Sequence, residues 1–441
     1  MGSLELLTRP IAGQRVFAAE LPDYDFLRHC VRCARCLPVC PTYQETGLEA
    51  QSPRGRLSLI KAVEDGQLSF EPEVEAHLYH CLDCRLCNTV CPANVPIGEA
   101  IVAARAAFGE RVGRPWWRKL IFEHVLISAD RLGLALSPLR LYQRLGLPAL
   151  IRPLLGRLPG RLSQLLRLET LLPELPAHPL HKVLEAVTPA RGERKYRVGF
   201  FLGCMMSQLF AQESHATLRV LSQMGCEVIT PKGQLCCGAP QDDQGERQYA
   251  RKLARKNVWL FEQIGDVDAV VSDCAACSAM LKEYGELLRD DPEFAGRAHA
   301  FSKKIKDIYE WYDEVGVAVD HAAATRQVTL HDACHLGNAQ GVRAPQRRLL
   351  SRLQSVQMVE MKDPSGCCGS AGIYNITHPQ MADKRLQRKV ENIEATGAEV
   401  VVTNGPGCLL QLRAAARDGK LTVQVQHISQ LVEEALAENA S

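Results

Sequence analysis

The sequence predicts a multidomain protein with a mostly α-helical N-terminal domain, a helical connector and two duplicated α/β modules. Three observations lead to this fold class: two runs of closely spaced cysteines before residue 110, a stretch rich in Leu, Arg and Pro after them, and alternating apolar strands and helices from Lys195 onward. At 441 residues the chain is too long for one core. We expect the domains 1–110, 111–194, 195–322 and 323–441.

The N-terminal cysteines form two copies of one motif, C-x2-C-x2-C-x3-C-P. This run binds [4Fe–4S] clusters in bacterial two-cluster ferredoxins. The first three thiolates of a copy lie on one tight loop and can bind one cube, while the fourth, beside a proline, points towards the other cube. Crossed ligation predicts one cluster held by Cys30, Cys33, Cys36 and Cys91, and a second held by Cys81, Cys84, Cys87 and Cys40.

A pair of zinc sites is the alternative for these eight cysteines. Zinc needs only four thiolates, usually as two C-x2-4-C pairs, so the repeated pattern with both prolines favours clusters. Apolar residues show helical spacing over 58–64 and 73–80. Residues 1–110 are therefore predicted to be a mostly α-helical, two-cluster ferredoxin-like domain.

Composition limits the class of protein. Apolar residues make up 46% of the chain and charged residues 23%, as in soluble globular proteins, and a formal net charge of +2 argues against nucleic acid as the main partner. Eighteen cysteines, with no apolar signal-peptide core in residues 1–15, indicate metal or cluster ligands in a reducing cytoplasm. No run of about 18 apolar residues appears, so we expect no transmembrane helix.

Residues 111–190 contain few acids between Arg111 and Arg167, and their prolines should break them into short helices. Two interpretations of this connector remain open. It can pack its leucines onto its own protein and leave its arginines in water. It can also lie as an amphipathic helix on an anionic membrane surface, or contact a partner.

The C-terminal half shows a βα pattern twice. We expect strands over 196–202, 226–230 and 268–272, long helices over 207–224 and 242–263, and further strands over 328–330 and 400–403. The second copy repeats the order and spacing of the cysteines in the first, including one Cys-Cys-Gly triplet in each, which indicates an internal duplication. Strands alternating with helices predict a mostly parallel sheet, and the cysteines fall where strands end, the edge at which such sheets bind ligands.

The first module supplies five thiols, of which two are adjacent in sequence. An adjacent pair can flank the irons of an opened, non-cubane cluster, whereas zinc would leave one of the five unused. An iron–sulfur cluster is favoured, with zinc or a dithiol/disulfide as alternatives. The five thiols are Cys204, Cys236, Cys237, Cys274 and Cys277. Cys226 stands apart and is interpreted as a small buried apolar residue.

The second module lacks one thiol, because Cys274 aligns with Gly405. Its thiols are Cys334, Cys367, Cys368 and Cys408. Four thiols suit a cubane, a defective non-cubane cluster or a structural zinc. His331 and His335 lie beside Cys334 and could add a ligand, although each is explained more simply as a polar residue at a strand end or helix start.

Fingerprints for organic redox cofactors are missing from the sequence: no G-x-G-x-x-G follows a strand, and no G-x4-G-K-[ST] appears. A chain with several clusters and no hydride-handling cofactor needs a partner that splits an electron pair. The sequence therefore indicates a multi-cluster electron relay with no catalytic residues of its own.

The chain resembles the iron–sulfur subunit of glycolate oxidase (glycolate dehydrogenase). More widely, it resembles proteins that join a ferredoxin domain to two cysteine-rich CCG modules, including lactate-utilisation proteins and heterodisulfide reductase. The resemblance covers essentially the whole chain and rests on residues 30–41, 53–56, 81–92, 282–288, 367–372 and 403–408.

In that family, electrons from 2-hydroxy acids enter FAD-binding subunits, and the iron–sulfur subunit passes them towards the quinone pool. The resemblance implies the same role here, in the cytoplasm or as a peripheral protein on the inner face of the membrane. In heterodisulfide reductase the five-cysteine pattern holds a non-cubane cluster that cleaves a disulfide. The five thiols of the first module match that pattern, so a disulfide reductase is the alternative function.

Overall fold

The computed structural model describes residues 24–150, 173–317 and 325–438. Within the first of these ranges, residues 24–112 form a helical domain, as the sequence predicts. After a 3-10 turn at Tyr24–His29, its helices are Pro41–Thr46, Pro53–Glu64, Pro72–Tyr79, Leu86–Thr89 and Ile97–Val112, with a second 3-10 turn at Glu49–Gln51. Three of the helices begin with proline, whose fixed φ and missing N–H suit the first helical position. The core between them includes Ile60, Leu78 and Phe108, all fully buried.

The connector contains the short helix Trp116–Lys119, a π-helical turn at Leu120–Val125, the helix Ala129–Arg144 and the short helix Leu180–Val183. The prediction that prolines break this stretch is wrong for Pro138, which lies inside Ala129–Arg144. Pro138 cannot donate to the carbonyl of Leu134, but the Ser137 hydroxyl donates to that oxygen at 2.7 Å instead. Residues 151–172 of the predicted connector lie outside the described residues.

The connector packs on its own protein through only part of its apolar surface. Phe122 and Leu132 are buried, whereas Leu134, Leu141 and Leu145 are more than half exposed. Arg140 does not point into water, because its guanidinium donates to the carbonyl of Pro176 and to Gln208. The described part of the connector therefore has one packed apolar face and one exposed apolar face. In the described parts of the chain, no helix combines the length and apolar character needed to cross a bilayer.

The first α/β module (module one) is built on a five-stranded sheet. Its strands are β1 (Val187–Thr188), β2 (Tyr196–Phe200), β3 (Cys226–Ile229), β4 (Ala269–Ser272) and β5 (Ile305–Asp307). They lie in the order β1-β3-β2-β4-β5, with all neighbours parallel except β1 and β3. The helices are Cys204–Leu209, Ala211–Gln223, Ala239–Asp243, Arg247–Glu262, Ala275–Lys282, Tyr284–Leu287, Ala295–Lys303 and Ile308–Val315.

The second α/β module (module two) repeats this plan. Its strands are β6 (Arg326–Leu330), β7 (Val356–Met358), β8 (Val400–Thr403) and β9 (Gln424–His427). The order β7-β6-β8-β9, all parallel, reproduces β3-β2-β4-β5 of module one. The helices are Cys334–Gly337, Ala344–Arg352, Tyr374–Thr377, Pro379–Glu394, Pro406–Arg417 and Ile428–Glu438. The predicted duplication with parallel sheets is confirmed.

Each of the two long helices predicted in module one is divided. The first is interrupted at Phe210, where the backbone leaves helical geometry between Cys204–Leu209 and Ala211–Gln223. The second is split by Gly245, whose φ of 78° ends the turn Ala239–Asp243 before Arg247–Glu262 begins. The shorter helices that result, Cys204–Leu209 and Ala239–Asp243, start at or just after cysteines of module one.

The two modules share one hydrophobic core and a buried polar seam. The Asn404 amide donates to both carboxylate oxygens of Asp307, at 2.9 and 3.0 Å, and the Ala275 N–H donates to the Asn404 carbonyl at 3.2 Å. Thr217 donates to Ser429 at 2.8 Å in the same seam. Because buried hydrogen bonds of this kind require fixed geometry, the modules form one body.

Two equivalent glycines give a matched test of this frame. Gly238 and Gly369 both have positive φ, 94° and 89°. A Cβ on Gly369 would lie 2.4 Å from the carbonyl oxygen of Ala382, whereas one on Gly238 would approach Ala250 only to 3.4 Å.

We expect Gly238→Ala to lower the free energy of unfolding by about 1–2 kcal/mol, the cost of the left-handed backbone. Gly369→Ala should lower it by a further ~1–3 kcal/mol, because the helix Pro379–Glu394 must move. Anaerobic denaturant unfolding of the two variants measures the difference. Equal losses would contradict the close approach at Gly369.

Candidate iron–sulfur centres

The two N-terminal cysteine loops share one unusual backbone conformation. The residues directly before and after each middle cysteine have positive φ: Arg32 (55°), Ala34 (66°), Asp83 (48°) and Arg85 (57°). Non-glycine residues rarely adopt this conformation, which costs on the order of 1–3 kcal/mol each and persists where the surroundings demand it. Its presence at equivalent positions of both loops shows that they are wound in the same way around their cysteines.

The loops bring the eight N-terminal cysteines together as two groups of four. One small cavity is lined by Cys30, Cys33, Cys36 and Cys91. A second is lined by Cys40, Cys81, Cys84 and Cys87. Each group takes three cysteines from one loop and the fourth from the other copy of the motif. This is the arrangement that crossed ligation requires, and four thiols around a closed space fit a [4Fe–4S] cube.

Module one brings its five predicted cysteines to the carboxyl edge of its sheet. All five are buried, and the Cys204 thiol lies 3.9 Å from the Cys236 sulfur. Hydrogen bonds from the thiols of Cys236 and Cys277 lower the pKa of Cys237 to about 6. Cys226 is fully buried away from this group, as predicted.

Module two gathers its four predicted cysteines in the same way, with Cys367, Cys368 and Cys408 buried and Cys334 partly buried. A fifth donor joins them. A ring nitrogen of His331 and the sulfurs of Cys368 and Cys408 all lie within 4.8 Å of one another. Hydrogen bonding from Cys368, followed by the nearby His331, lowers the pKa of Cys408 to about 5.

In all four groups, a backbone N–H donates to one sulfur. The four donor–acceptor pairs are Val95 N–H to Cys91 (3.4 Å), Asp83 N–H to Cys81 (3.4 Å), Cys277 N–H to Cys274 (3.3 Å) and Gly369 N–H to Cys367 (3.4 Å). Such bonds favour the thiolate over the thiol and tune the reduction potential of a cluster.

The second N-terminal group lies directly against module two. Cys84 packs in one buried apolar cluster with Cys367, Tyr374 and Met381, and Cys334 lies at its edge. The Asn338 amide, at the end of a module-two helix, donates to the Cys84 carbonyl at 2.9 Å. The Tyr374 hydroxyl donates to the carbonyl of His80 at 3.2 Å. Ligand residues of two predicted centres are therefore neighbours across this interface.

Charged groups between the same cysteines are paired. The Arg85 Nε donates to Asp83 at 2.7 Å, and both side chains are buried. Burial alone would raise the pKa of Asp83, but Arg85 and His335 outweigh it and lower that pKa. Burial opposes protonation of His335, yet Asp83 and Asp243 raise its pKa to about 9. The Nε2 atom of His335 lies 3.9 Å from the Asp83 carboxylate.

The N-terminal domain also contacts module one, through Arg105. This buried guanidinium donates to the carbonyls of Leu78 (2.9 Å), Cys81 (2.6 Å) and Asp243 (2.7 Å). Opposite it, a Cβ on Gly245 would lie 2.7 Å from the Arg105 backbone. Both modules therefore hold the loop that carries the second cysteine group.

Comparison with known proteins agrees with this architecture. A 4Fe-4S dicluster domain model matches residues 26–95, and a cysteine-rich domain model matches 198–282 and 328–413. A model for the linker region of the glycolate oxidase iron–sulfur subunit matches 113–168. The described part of that match, up to residue 150, contains the π-helical turn and the helix Ala129–Arg144.

Curated relatives match over nearly the full length. A probable glycolate oxidase iron–sulfur subunit of Bacillus subtilis (strain 168) is 39% identical over 437 residues, 96% of this chain and 97% of the relative. The glycolate oxidase iron–sulfur subunit of Escherichia coli (strain K12) is 30% identical over 424 residues, 95% and 96% of the two chains. The chain belongs to the glycolate oxidase iron–sulfur subunit family.

A shorter relative outlines the wider family. Lactate utilization protein A of Bacillus subtilis (strain 168) is 31% identical over 238 residues, which is 54% of this chain and 98% of that protein. The dicluster match makes this family member an iron–sulfur protein. The predicted resemblance is confirmed.

The sequence did not reveal two buried cations in module two of this iron–sulfur subunit. The helices Arg247–Glu262 and Pro379–Glu394 are equivalent, because each packs an alanine against the glycine of its Cys-Cys-Gly triplet. Relative to that alanine, Arg385 and Lys389 occupy the positions at which the module-one helix has a leucine and an asparagine. Lys389 donates to the carbonyl of Asp363 at 2.6 Å, and burial lowers its pKa while the Asp363 carboxylate and the nearby thiols oppose that shift. The two equivalent centres therefore have different electrostatic surroundings.

Crossed ligation predicts which substitutions act together. We expect Cys91→Ser to abolish the same cluster signal as Cys33→Ser, and Cys40→Ser to abolish the other, because each pair of distant segments shares one cavity. Electron paramagnetic resonance of the reduced, anaerobic protein compares the three variants, with Cys226→Ser as a control that retains both signals. Loss of the same signal in Cys91→Ser and Cys40→Ser would contradict the pairing.

Proposed function

We propose that this chain is the electron-transfer subunit of a flavin-dependent 2-hydroxy-acid (glycolate or lactate) dehydrogenase. It relays electrons from FAD-binding partner subunits towards a quinone or another acceptor. The observation that carries the proposal is the contact between cysteine groups: Cys84 lies in one buried cluster with Cys367, and Cys334 packs against it. The names of the full-length relatives support the substrate class.

The proposed cofactors follow the cysteine groups. Two [4Fe–4S] clusters occupy the N-terminal groups, and an iron–sulfur cluster, non-cubane in module one, occupies each CCG group. Zinc in module two is the alternative, and it would confine the relay to the other centres. Bound clusters of this kind carry single electrons. The protein buries most of the thiols of the two modules, holds the second cysteine loop through Asn338, and places positive charge beside the module-two thiols.

A disulfide reductase in module one is less well supported. All five of its cysteines are buried, so an organic disulfide would reach them only after the modules opened. An electron needs no such access, because it can pass through packed protein. The proposed relay therefore uses the closed arrangement as it stands.

The exposed face of the connector is the proposed surface for partner subunits or a membrane. Leu134, Leu141 and Leu145 project from the helix Ala129–Arg144 and its end, and each is more than half exposed. Apolar side chains exposed in this way are typical of interaction sites.

Purification under anaerobic conditions tests the main proposal. The relay predicts that the chain isolates with FAD-binding subunits, that 2-hydroxy acid reduces its clusters only in their presence, and that the isolated chain reduces no disulfide. Iron should reach about sixteen per chain with two CCG clusters, against about eight with the N-terminal cubes alone. Stoichiometric zinc with about eight irons would contradict the relay through the modules.

The contact at Cys84 gives a sharper prediction. We expect Cys84→Ser to remove or convert one cluster and to stop electron flow into module two, while the α/β modules stay folded because their core is separate. Stopped-flow absorbance of the complex after substrate addition measures the flow, and circular dichroism checks the fold. The matched control is Cys226→Ser, which changes a buried cysteine outside all four groups. Unchanged reduction of module two in Cys84→Ser would refute this route.

The buried cations predict a difference in potential between the modules. We expect Lys389→Met to lower the midpoint potential of the module-two centre, because a nearby positive charge stabilises its reduced form. If the reduced form loses about 1.4 kcal/mol of stabilisation, the midpoint potential falls by about 59 mV for one electron. A redox titration followed by electron paramagnetic resonance measures the shift. Lys384→Met, on the exposed face of the same helix, is the control, and an equal shift there would show that the buried position has no special effect.

A further inference from the structure

We propose that His331 is a ligand of the module-two centre and replaces the cysteine that module one carries as Cys274. This inference deepens the proposed function, because it rests on module two holding a metal or cluster. It assigns an imidazole to one of two sites that are otherwise built from thiols.

The backbone places His331 at the same position as Phe201 of module one. Strand β2 ends one residue before Phe201, and β6 ends one residue before His331. The Phe201 N–H donates to the carbonyl of Val271 at 2.9 Å, and the His331 N–H donates to the carbonyl of Val402 at 3.0 Å. These two valines are equivalent, because each pairs with the last residue of the neighbouring strand, β2 or β6. The side chains at the two positions can therefore be compared directly.

The two modules differ in residue type at two equivalent positions around the site. Module one has phenylalanine at the first strand end and Cys274 after β4, whereas module two has His331 and Gly405. Phe201 stacks on the ring of Phe261, with centroids 5.9 Å apart, and so serves the core. Module two therefore has one thiol fewer than module one, and it has an imidazole at a second position near the same site.

The space around Gly405 is small for a cysteine equivalent to that of module one. A Cβ there would lie 3.0 Å from the sulfur of Cys408 and 3.2 Å from the Cβ of Ala333. Both distances are shorter than ordinary van der Waals contact, so a side chain at this position would require the sulfur of Cys408 or the Cβ of Ala333 to shift by a few tenths of an ångström. His331 reaches the thiols from the neighbouring strand β6, which pairs directly with β8.

The ring of His331 is buried and has unsatisfied nitrogens. Its relative exposure is 1%, and neither ring nitrogen makes a hydrogen bond of ordinary geometry with the described residues, although one nitrogen lies near the Cys408 sulfur. His427, a fully buried histidine at the end of β9, instead pairs with the carbonyl of Asp273 at 2.9 Å and accepts from the Ser429 N–H at 3.1 Å. A buried polar group without a partner destabilises the folded protein, and coordination to a metal removes that cost.

The position of the ring points to its partner. A nitrogen of His331 lies with the sulfurs of Cys368 and Cys408 inside a 4.8 Å group, close enough for one ion to contact all three atoms. His335 is a weaker candidate, since its Nδ1 approaches only the Cys334 sulfur, at 3.8 Å, and its ring is grouped with the carboxylates of Asp83 and Asp243. Zinc and iron both accept a mixture of thiolate and imidazole.

An imidazole ligand would set module two apart from module one. A neutral nitrogen in place of a thiolate removes one negative charge from the centre, and such replacement raises the potential of iron–sulfur clusters. The positive charges of Arg385 and Lys389 should also raise the reduction potential of this centre. Module two would then accept electrons from the second N-terminal cluster more readily than an all-thiolate centre.

The first experiment uses the unmodified full chain, purified without oxygen with natural or ¹⁵N-labelled histidine. For an iron centre, pulsed electron paramagnetic resonance should show a ¹⁴N coupling on the signal that Cys368→Ser removes, and labelling should convert it to ¹⁵N. For zinc, X-ray absorption should show one nitrogen at about 2.0–2.1 Å beside sulfurs at about 2.3 Å. A centre with only sulfur ligands overturns the inference and leaves the relay intact. Absence of metal from module two overturns both this inference and the proposed relay into module two.

Variants then identify the histidine. His331→Gln should lose the nitrogen coupling and most of the module-two metal, while His331→Cys should keep the metal, lose the coupling and lower the midpoint potential. His427→Gln is the matched buried control and should keep coupling and metal. Persistence of the coupling in His331→Gln together with its loss in His335→Gln would assign the ligand to the wrong histidine and refute the proposal.

Discussion

Thiolates can be gathered in a closed protein interior only if positive charge compensates them, and this requirement organises the whole chain. All of the eighteen cysteines except Cys226 converge in four groups, and Cys226 serves the core as an ordinary small residue. The N–H donors to sulfur stabilise negative charge on the thiolates, and a bound metal would hold the strained loops around Cys33 and Cys84 in place. Without iron the same groups would be clusters of mutually repelling thiolates or poorly paired thiols.

The position of the second N-terminal loop follows from the same requirement. It is held by Arg105 towards module one and by Asn338 towards module two, so its cysteines are fixed on both sides. Only module two, however, packs its own cysteines against Cys84. The duplicated modules share a frame and differ at their sites. Module one has five thiols, with leucine and asparagine at the helix positions where module two has Arg385 and Lys389, and module two has four thiols and His331. In the proposed relay, a duplication of this kind gives two redox centres of unequal potential in one body.

Much of this structure could be predicted from local patterns in the sequence. The cysteine spacing, the apolar runs of the longer strands and the recurrence of the cysteine-bearing plan predict the domain order, the parallel sheets and the grouping that the two N-terminal cavities display. Contacts between distant segments could not be predicted in this way. His331 reaches the thiols only because β6 and β8 are neighbours, and the cations lie one helix away from the cysteines they affect. Short strands such as β5 and β7 have too few residues for a recognisable pattern, and the continuous helix at Pro138 depends on one hydroxyl of Ser137.

Diffraction from crystals of the chain grown without oxygen, measured at the iron absorption edge, tests the central claim most directly. The account predicts iron within the ring of Cys40, Cys81, Cys84 and Cys87 and also beside Cys334, Cys367, Cys368 and Cys408, with Cys84 and Cys367 between the two sites. Iron confined to the N-terminal domain, or disulfides in place of iron in module two, would contradict it.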